Sequence, residues 1–327
     1  MKHLTSHISH FTSYLLLLTS AFILASCEYK DLCYDHNHWI YANTTYDWSH
    51  VAAPKPMRAM YYNLSDSEVE PILYDFSSNG GLARLTGATY QAISYNNDTE
   101  TILYRNGNSL NTLEAYTRQS SLEEGTRMSF TRGSMPHFTA KEPEKVILEP
   151  DSLYGAVSEP FSAELADTVD VQLQPKQRFH EIVITITDVP NLQYTTNFGG
   201  AMSGLAASIN MATGVPSDEL ATEAFECSVI DATTLQMKLR IFGHCPHESE
   251  GELNSHLLTI YAVLADGQKW YYVQDVSKDM HALPQTGDNY QVNITLDGLP
   301  VPKPIVNGSG FQPTIDGWQG VNIDVTM

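Results

Sequence analysis

Leu258 to Val276 reads LTIYAVLADGQKWYYVQDV, and this stretch decides the fold. Leu258, Ile260, Ala262 and Leu264 alternate with Thr259, Tyr261 and Val263, the period of two that sends successive side chains to opposite faces of a strand. Asp266-Gly267 then supplies a reversal, read as a type I′ hairpin turn, before a second strand over Gln268–Val276. Working outward, the same alternation returns at Val169/Val171/Leu173, Ile182/Ile184/Ile186, Leu205/Ala207/Ile209/Met211 and Leu235/Met237/Leu239/Ile241. Tyr290/Val292/Ile294/Leu296 and, last, Val321/Ile323/Val325 complete the series. Short strands with turn signals at this spacing predict an all-β sandwich.

The first half is of the same kind, with strands predicted at His38–Tyr46, Met57–Leu64, Ile72–Phe76, Leu82–Leu85, Thr89–Tyr95 and Thr101–Tyr104. Asn79-Gly80-Gly81, Thr86-Gly87 and Asn96-Asn97-Asp98 supply the positive-φ or Asx geometry of tight turns between them. Leu110/Leu113/Tyr116 predicts a helix within Ser109–Ser120, and a short turn is expected to start at Ser277 as N-cap. Ala140–Asp151 brings two prolines and a charge cluster, so the chain is expected to divide near residue 165. Val301–Pro313 is too rich in Pro and Gly to pair in a sheet. The strand after it is free to cross to the far sheet of its own domain or to reach a neighbouring molecule.

At the other end, the largely apolar 11-residue run Leu15–Ala25 follows Lys2 and reads as the core of an export signal, short of the ~20 needed to span a bilayer. Leu24-Ala25-Ser26-Cys27 resembles the lipobox of bacterial lipoproteins, in which the cysteine thiol is lipidated and becomes the new N-terminus. The expected layout is therefore a signal peptide over 1–26, a lipidated tether over 27–36, an N-terminal β-sandwich over 37–165 and a C-terminal one over 166–327. Cys27 then ties the chain to a membrane, since two or three acyl chains anchor stably where one does not. Formal charge is −20, and cleavage before Cys27 removes only Lys2 among the charged residues. A field of that sign repels phosphate backbones, so nucleic acid is not an expected partner.

Chemistry-bearing motifs are weak. G-x-S-x-G, H-E-x-x-H, the P-loop and the dinucleotide fingerprint do not occur. Ser203 in Gly199–Gly204 (GGAMSG) precedes a strand rather than opening a helix, a poor setting for a nucleophile. His244-Cys245-Pro246-His247-Glu248 and Asp35-His36-Asn37-His38 gather metal-capable side chains without an established ligand spacing. No catalytic residue, metal site or cofactor is expected. Beyond Cys27, the cysteines Cys33, Cys227 and Cys245 are odd in number, and a hairpin of Glu223–Ile230 with Leu235–Phe242 would set Cys227 opposite about Lys238. Trp39, Trp48, Trp270 and Trp318 offer stacking faces for sugars, although core packing already accounts for aromatic residues in strands.

Several segments carry a family resemblance: Cys27-x5-Cys33 with Asp31-Leu32-Cys33, His36-Asn37-His38 leading to Tyr46-Asp47-Trp48-Ser49, and Gly87-Ala88-Thr89-Tyr90 through Tyr95–Glu100. Met202-Ser203-Gly204-Leu205, the Asp266-Gly267 hairpin and a terminal strand after Gly317-Trp318 match more loosely. On these residues the chain resembles the fimbrillin-type lipoproteins of Bacteroides and its relatives, which build or anchor type V pili, and among them a lipoprotein group related to the anchor subunits. The resemblance implies two tandem transthyretin-like β-sandwiches on an outer-membrane lipid anchor, facing outward, with pilin-like subunits as partners. It implies assembly by β-strand addition, for which Val321, Ile323 and Val325 are the candidate donor face; an internal edge strand fits the same pattern. Pilins of this kind are cleaved after an arginine in the first domain, whereas anchors keep their first strand. Arg58, Arg84, Arg105 and Arg118 are the arginines to weigh. The other reading is a surface adhesin for a glycan or host protein.

Overall fold

Residues Trp39–Tyr46 form β1, which buries Ile40, Ala42 and Thr44 and leaves Trp39, Tyr41 and Asn43 half-buried. That alternation sets which face meets a core. The strands that follow in the first half are β2 (Met57–Asn63), β3 (Ile72–Phe76), β4 (Gly81–Thr86), β5 (Tyr90–Asn96), β6 (Ile102–Arg105) and β7 (Glu114–Thr117). A short helix α1 (Leu122–Thr126) precedes β8 (Lys145–Ile147), β9 (Tyr154–Val157), β10 (Thr168–Leu173) and β11 (Lys176–Gln177). The second half holds β12 (His180–Thr187), β13 (Thr195–Ala206), β14 (Ser208–Asn210), β15 (Leu220–Glu226), β16 (Ser228–Val229) and β17 (Leu235–Ile241). It ends with β18 (Leu257–Leu264), β19 (Lys269–Asp275), the helix α2 (Ser277–His281), β20 (Gln291–Asp297) and β21 (Trp318–Ile323). This computed structural model describes residues 38–51, 53–129, 134–140, 144–244, 255–282, 291–304 and 317–323.

The fold is all-β, in two tandem sandwiches. In the first, the sheet β10-β1-β4 faces the sheet β11-β9-β5-β2-β3 across a core of Ile40, Tyr61, Leu85, Tyr90 and Leu173. The far side of the larger sheet is also apolar, and Met60, Ile93 and Tyr95 pack there against a three-stranded sheet β14-β7-β6. In the second, β16-β17-β12-β20 faces β21-β19-β18-β13-β15-β8. Ile182, Ile184 and Ile186 meet Met202, Leu258 and Ile260 between them. Each of these side chains contributes about 1.5–3 kcal/mol relative to exposure. Residues 39–327 form one compact unit.

The halves trade strands. β8, from the segment between β7 and β9, adds to the second sandwich alongside β15, whereas β14 leaves the second half to pair with β7. Strand pairing with the first sandwich also continues past residue 165, since β10 lies parallel to β1 and β11 pairs with β9.

Four local expectations are corrected. Ser109–Ser120 is not a helix: Leu113, Ala115 and Thr117 are buried while Glu114 and Tyr116 are less so, and only Leu110–Thr112 makes a 3-10 turn. The run Leu205–Met211 is not one strand; Gly204 at φ +77° bulges β13, and the chain changes sheets at Ala207. The expected Glu223–Ile230 hairpin breaks at Cys227, because β15 pairs with β13 and only Ser228 and Val229 oppose Gln236 and Leu235. The Asp266-Gly267 turn has three loop residues: Leu264 bonds Gln268, and Gly267 alone takes a positive φ, which makes a type I turn with a bulge rather than type I′.

Candidate functional site

β1 is the middle strand of its sheet. It pairs in parallel with β10 from Tyr41↔Thr168 to Tyr46↔Leu173 and antiparallel with β4 from Trp39↔Thr86 to Thr44↔Gly81. Its inward side chains are tied down by polar bonds as well, with Thr44 Oγ1 2.5 Å from the Tyr61 hydroxyl and the Tyr46 hydroxyl 2.8 Å from Ser94 Oγ. Burial pushes the Tyr46 phenol up to about 12 and that of Tyr61 higher still. Beyond the strand, Trp48 Nε1 donates to the Ser78 carbonyl at 2.7 Å. Withdrawing β1 would therefore open a slot between β10 and β4 and strip the first core of Ile40 and Ala42.

The arginines weighed as cleavage points are held in structure. Arg58 lies in β2 and grips Asp75 through Nε at 2.7 Å and Nη2 at 2.9 Å. Arg84, in β4, stacks over the Trp39 ring at 4.0 Å. Arg105, in β6, bonds Glu114 at 2.7 Å and Glu219 at 3.3 Å, and Arg118 pairs with Glu124. Residues 47–56, which join β1 to β2, contain Lys55 but no arginine.

At the other end, β21 runs parallel to β19 from Lys269↔Trp318 to Gln274↔Ile323 and is the edge of its sheet. Val321 and Ile323 pack on the chain's own second core, while Trp318 meets Tyr261 edge to face at 5.5 Å on the opposite side. A Cβ at Gly320 would fall 2.2 Å from the Tyr271 ring, so glycine there lets the terminal strand close onto β19. Val325 lies outside the described residues, as do Cys27, Cys33, Cys245 and the rest of the His244–Glu248 and Asp35–His38 clusters apart from His244 and His38.

The remaining candidates have packing roles. Ser203 is fully buried in β13, and its Oγ accepts the Leu257 N–H at 3.0 Å. The glycines of GGAMSG admit neighbours, since a Cβ on Gly199 would strike Thr126 and Met128. Trp270 packs on the second core, which with the roles of the other three tryptophans accounts for the aromatic candidates.

Sequence spacing missed one grouping: His244, His256 and His281, far apart in the chain, bring their rings within 5.0–6.1 Å of one another. Burial first, then the neighbouring imidazoles, lowers His256 to about 4, so the ring packs neutral with Nδ1 facing the Ser203 carbonyl at 3.3 Å. Among the described residues no group of His, Cys, Asp or Glu is arranged to hold a metal.

Known proteins resemble this chain in sequence and in fold. A Bacteroides ovatus protein, provisionally named fimbrium anchoring subunit Fim4B, is 22% identical over 344 residues, spanning 93% of this chain and 95% of its own. The crystal structure of a protein provisionally described as an adhesin, also from Bacteroides ovatus, superposes with a TM-score of 0.56 at 18% identity, over 85% of this chain and 99% of that one. The likeness supports the sandwich fold. Residues 26–226 match the family described as "Domain of unknown function (DUF5119)", and since that is more than half of the chain, the protein belongs to this family.

Proposed function

We propose that this protein is a structural subunit that fastens fimbria-like fibres to the bacterial outer membrane, lipidated at Cys27 and displayed outward. The observation that carries this reading is the seating of β1, paired on both sides and joined to β2 by a segment without arginine. A subunit that polymerises after arginine cleavage would have to release this strand. The first arginine after it, Arg58, lies inside β2, where a cut would sever a second strand of the same sandwich. The anchoring role named for the Bacteroides ovatus relative supports the same reading. A division of the chain near residue 165 belongs to the proposal, with β10 and β11 lending strands to the first sandwich.

Fibre contact would proceed by β-strand addition, in which backbone pairing gives affinity and alternate side chains fill a groove. The face of Val321, Ile323 and Val325 is our candidate for that contact, through exchange of β21 from its own sheet to a neighbour's. The test is gentle detergent extraction of the native protein from cells and identification of what comes with it. Pilin-like subunits are expected, together with loss of membrane association in Cys27→Ser; a protein recovered alone in every preparation rules the anchoring role out.

A further inference from the structure

Gly199, Tyr261, Tyr271 and Gly320 form a straight row across the larger sheet of the second sandwich, each the register partner of the next through β13, β18, β19 and β21. Ile260, Ala262 and Tyr272 on the same strands face the second core, so Tyr261 and Tyr271 point to the outer side of the sheet. A glycine at each end of the row makes room. A Cβ on Gly199 would strike Met128, and one on Gly320 would strike the Tyr271 ring. Residues 134–140, between α1 and β8 and outside any strand, pass over this row as a strap. Met135 of the strap is buried in the same apolar cluster as Tyr261.

Each tyrosine touches the strap with one part of its side chain and β21 with another. The Tyr261 hydroxyl donates to the Pro136 carbonyl at 2.5 Å, and the ring meets Trp318 of β21 edge to face at 5.5 Å. The Tyr271 ring lies 4.9 Å from that of Phe138, centroid to centroid, and rests against Gly320 of β21 with no space for a Cβ between them. Trp318, Gly320 and Asn322 make up the outward side of β21, so Trp318 and Gly320 meet rings that the strap positions. Among the described residues β21 pairs with β19 alone, and it lacks the second row of backbone bonds that holds β1. Side-chain contacts therefore carry a larger share of its retention.

We propose that residues 134–140 are a latch that keeps β21 in its own sheet, acting through Tyr261 and Tyr271. When the strap lifts, Tyr261 loses its acceptor and Tyr271 its stacking partner. The rings against Trp318 and Gly320 are then no longer pinned, and the edge strand leaves more readily. Coupling between two segments is reciprocal, so withdrawal of β21 takes Trp318 from Tyr261 and loosens the strap in turn. The latch is a property of the fold. Its use in assembly rests on the exchange of β21 proposed above, in which it retains the strand until a fibre subunit competes for it.

Hydrogen exchange of the native protein in mild detergent, read by mass spectrometry, measures the opening of β21 and of the strap, with β12 and β17 as internal references. Phe138→Ala should speed exchange over Trp318–Ile323 about tenfold, with β12 and β17 unchanged. Tyr261→Phe deletes the hydroxyl, keeps the ring and is safe for folding; it should speed the same segment about threefold. Trp318→Ala should in turn speed exchange over residues 134–140. Unchanged exchange of β21 in both Phe138→Ala and Tyr261→Phe, or equal acceleration in β12 and β17, would overturn the latch. Recovery of pilin-like subunits with the same variants tests its use separately. Faster exchange with greater recovery supports the latch and strand exchange together, whereas faster exchange with unchanged recovery upholds the latch and removes β21 as the fibre contact.

Discussion

Gly80 lies against Thr44 so closely that a Cβ on it would stand 1.9 Å from the Thr44 carbonyl oxygen, and its φ is +87°. The turn before β4 can thus close over β1 only with glycine at this position. Both the left-handed backbone and the contact with main chain resist substitution, and main chain cannot swing aside as a side-chain tip can. Gly80→Ala should therefore destabilise the protein by about 2–4 kcal/mol and loosen β1. Urea unfolding gives the free energy, and proteolysis in residues 47–56 reports release of the strand. A variant within about 0.5 kcal/mol of the parent would show that β1 is not seated as described.

The exchange of β8 and β14 bears on how the sandwiches unfold. Arg105 of β6 reaches Glu219 beside β15, and Lys145 of β8 reaches the same carboxylate at 2.6 Å, so the exchanged strands are also cross-linked by charge. Neither sandwich can open without removing a strand from the other. Trp39 and Trp48 belong to the first, Trp270 and Trp318 to the second, which permits separate observation. In Trp39→Phe/Trp48→Phe and in Trp270→Phe/Trp318→Phe, the remaining fluorescence should report a transition coincident with that from circular dichroism in the same variant. Midpoints more than about 10 °C apart within one variant would mean that the sandwiches melt independently.

How much of this was legible in sequence depended on whether the partner of a strand leaves a local mark. Ile182/Ile184/Ile186 and Leu235/Met237/Leu239/Ile241 alternate because one face of each strand is fully buried in the second core and the other less so, and both are strands in the places read from them. Leu205–Met211 misled because its alternation continues while its partner changes from β15 to β7, and burial on both faces hides the switch. Leu110/Leu113/Tyr116 gave helical spacing because a 3-10 turn precedes β7, and a window spanning both averages two periods. In sequence Glu223 is only the first residue of the expected Glu223–Ile230 strand. It is buried in a strand that sits between β13 and β8, a tertiary fact without a local signature.

His256 should set an acid limit to stability. In the unfolded chain its imidazole titrates near 6.5, whereas in the folded protein burial and the rings of His281 and His244 hold it near 4, with Asp275 opposing weakly. The unfolded state therefore binds the extra proton first. Stability is full above about pH 6.5 and declines as pH falls toward 4, by about 3 kcal/mol from this group alone. His256→Gln should flatten that decline even though it perturbs the packing at neutral pH. Urea midpoints from pH 4 to 7 give the slope directly, and a parent-like slope in the variant would remove His256 from the account.

Glu223 acts in the opposite direction. Its carboxyl is protonated in the fold well above the value of 4.5 for a free glutamate, so between those limits the folded state holds a proton that the unfolded state has lost. Its contribution is undiminished below about pH 4.5 and shrinks as pH rises, by as much as about 1.4 kcal/mol per pH unit until the buried group ionises. Glu223→Gln keeps size and hydrogen-bonding capacity but cannot ionise. The variant should therefore match the parent near pH 4 and exceed it increasingly from pH 5 to 8, and His256, which gives both proteins the same slope, drops out of the comparison. Thermal midpoints of the two proteins across that range make the comparison, and parallel curves would mean that Glu223 is ionised in the fold, with Arg240 shared between two carboxylates.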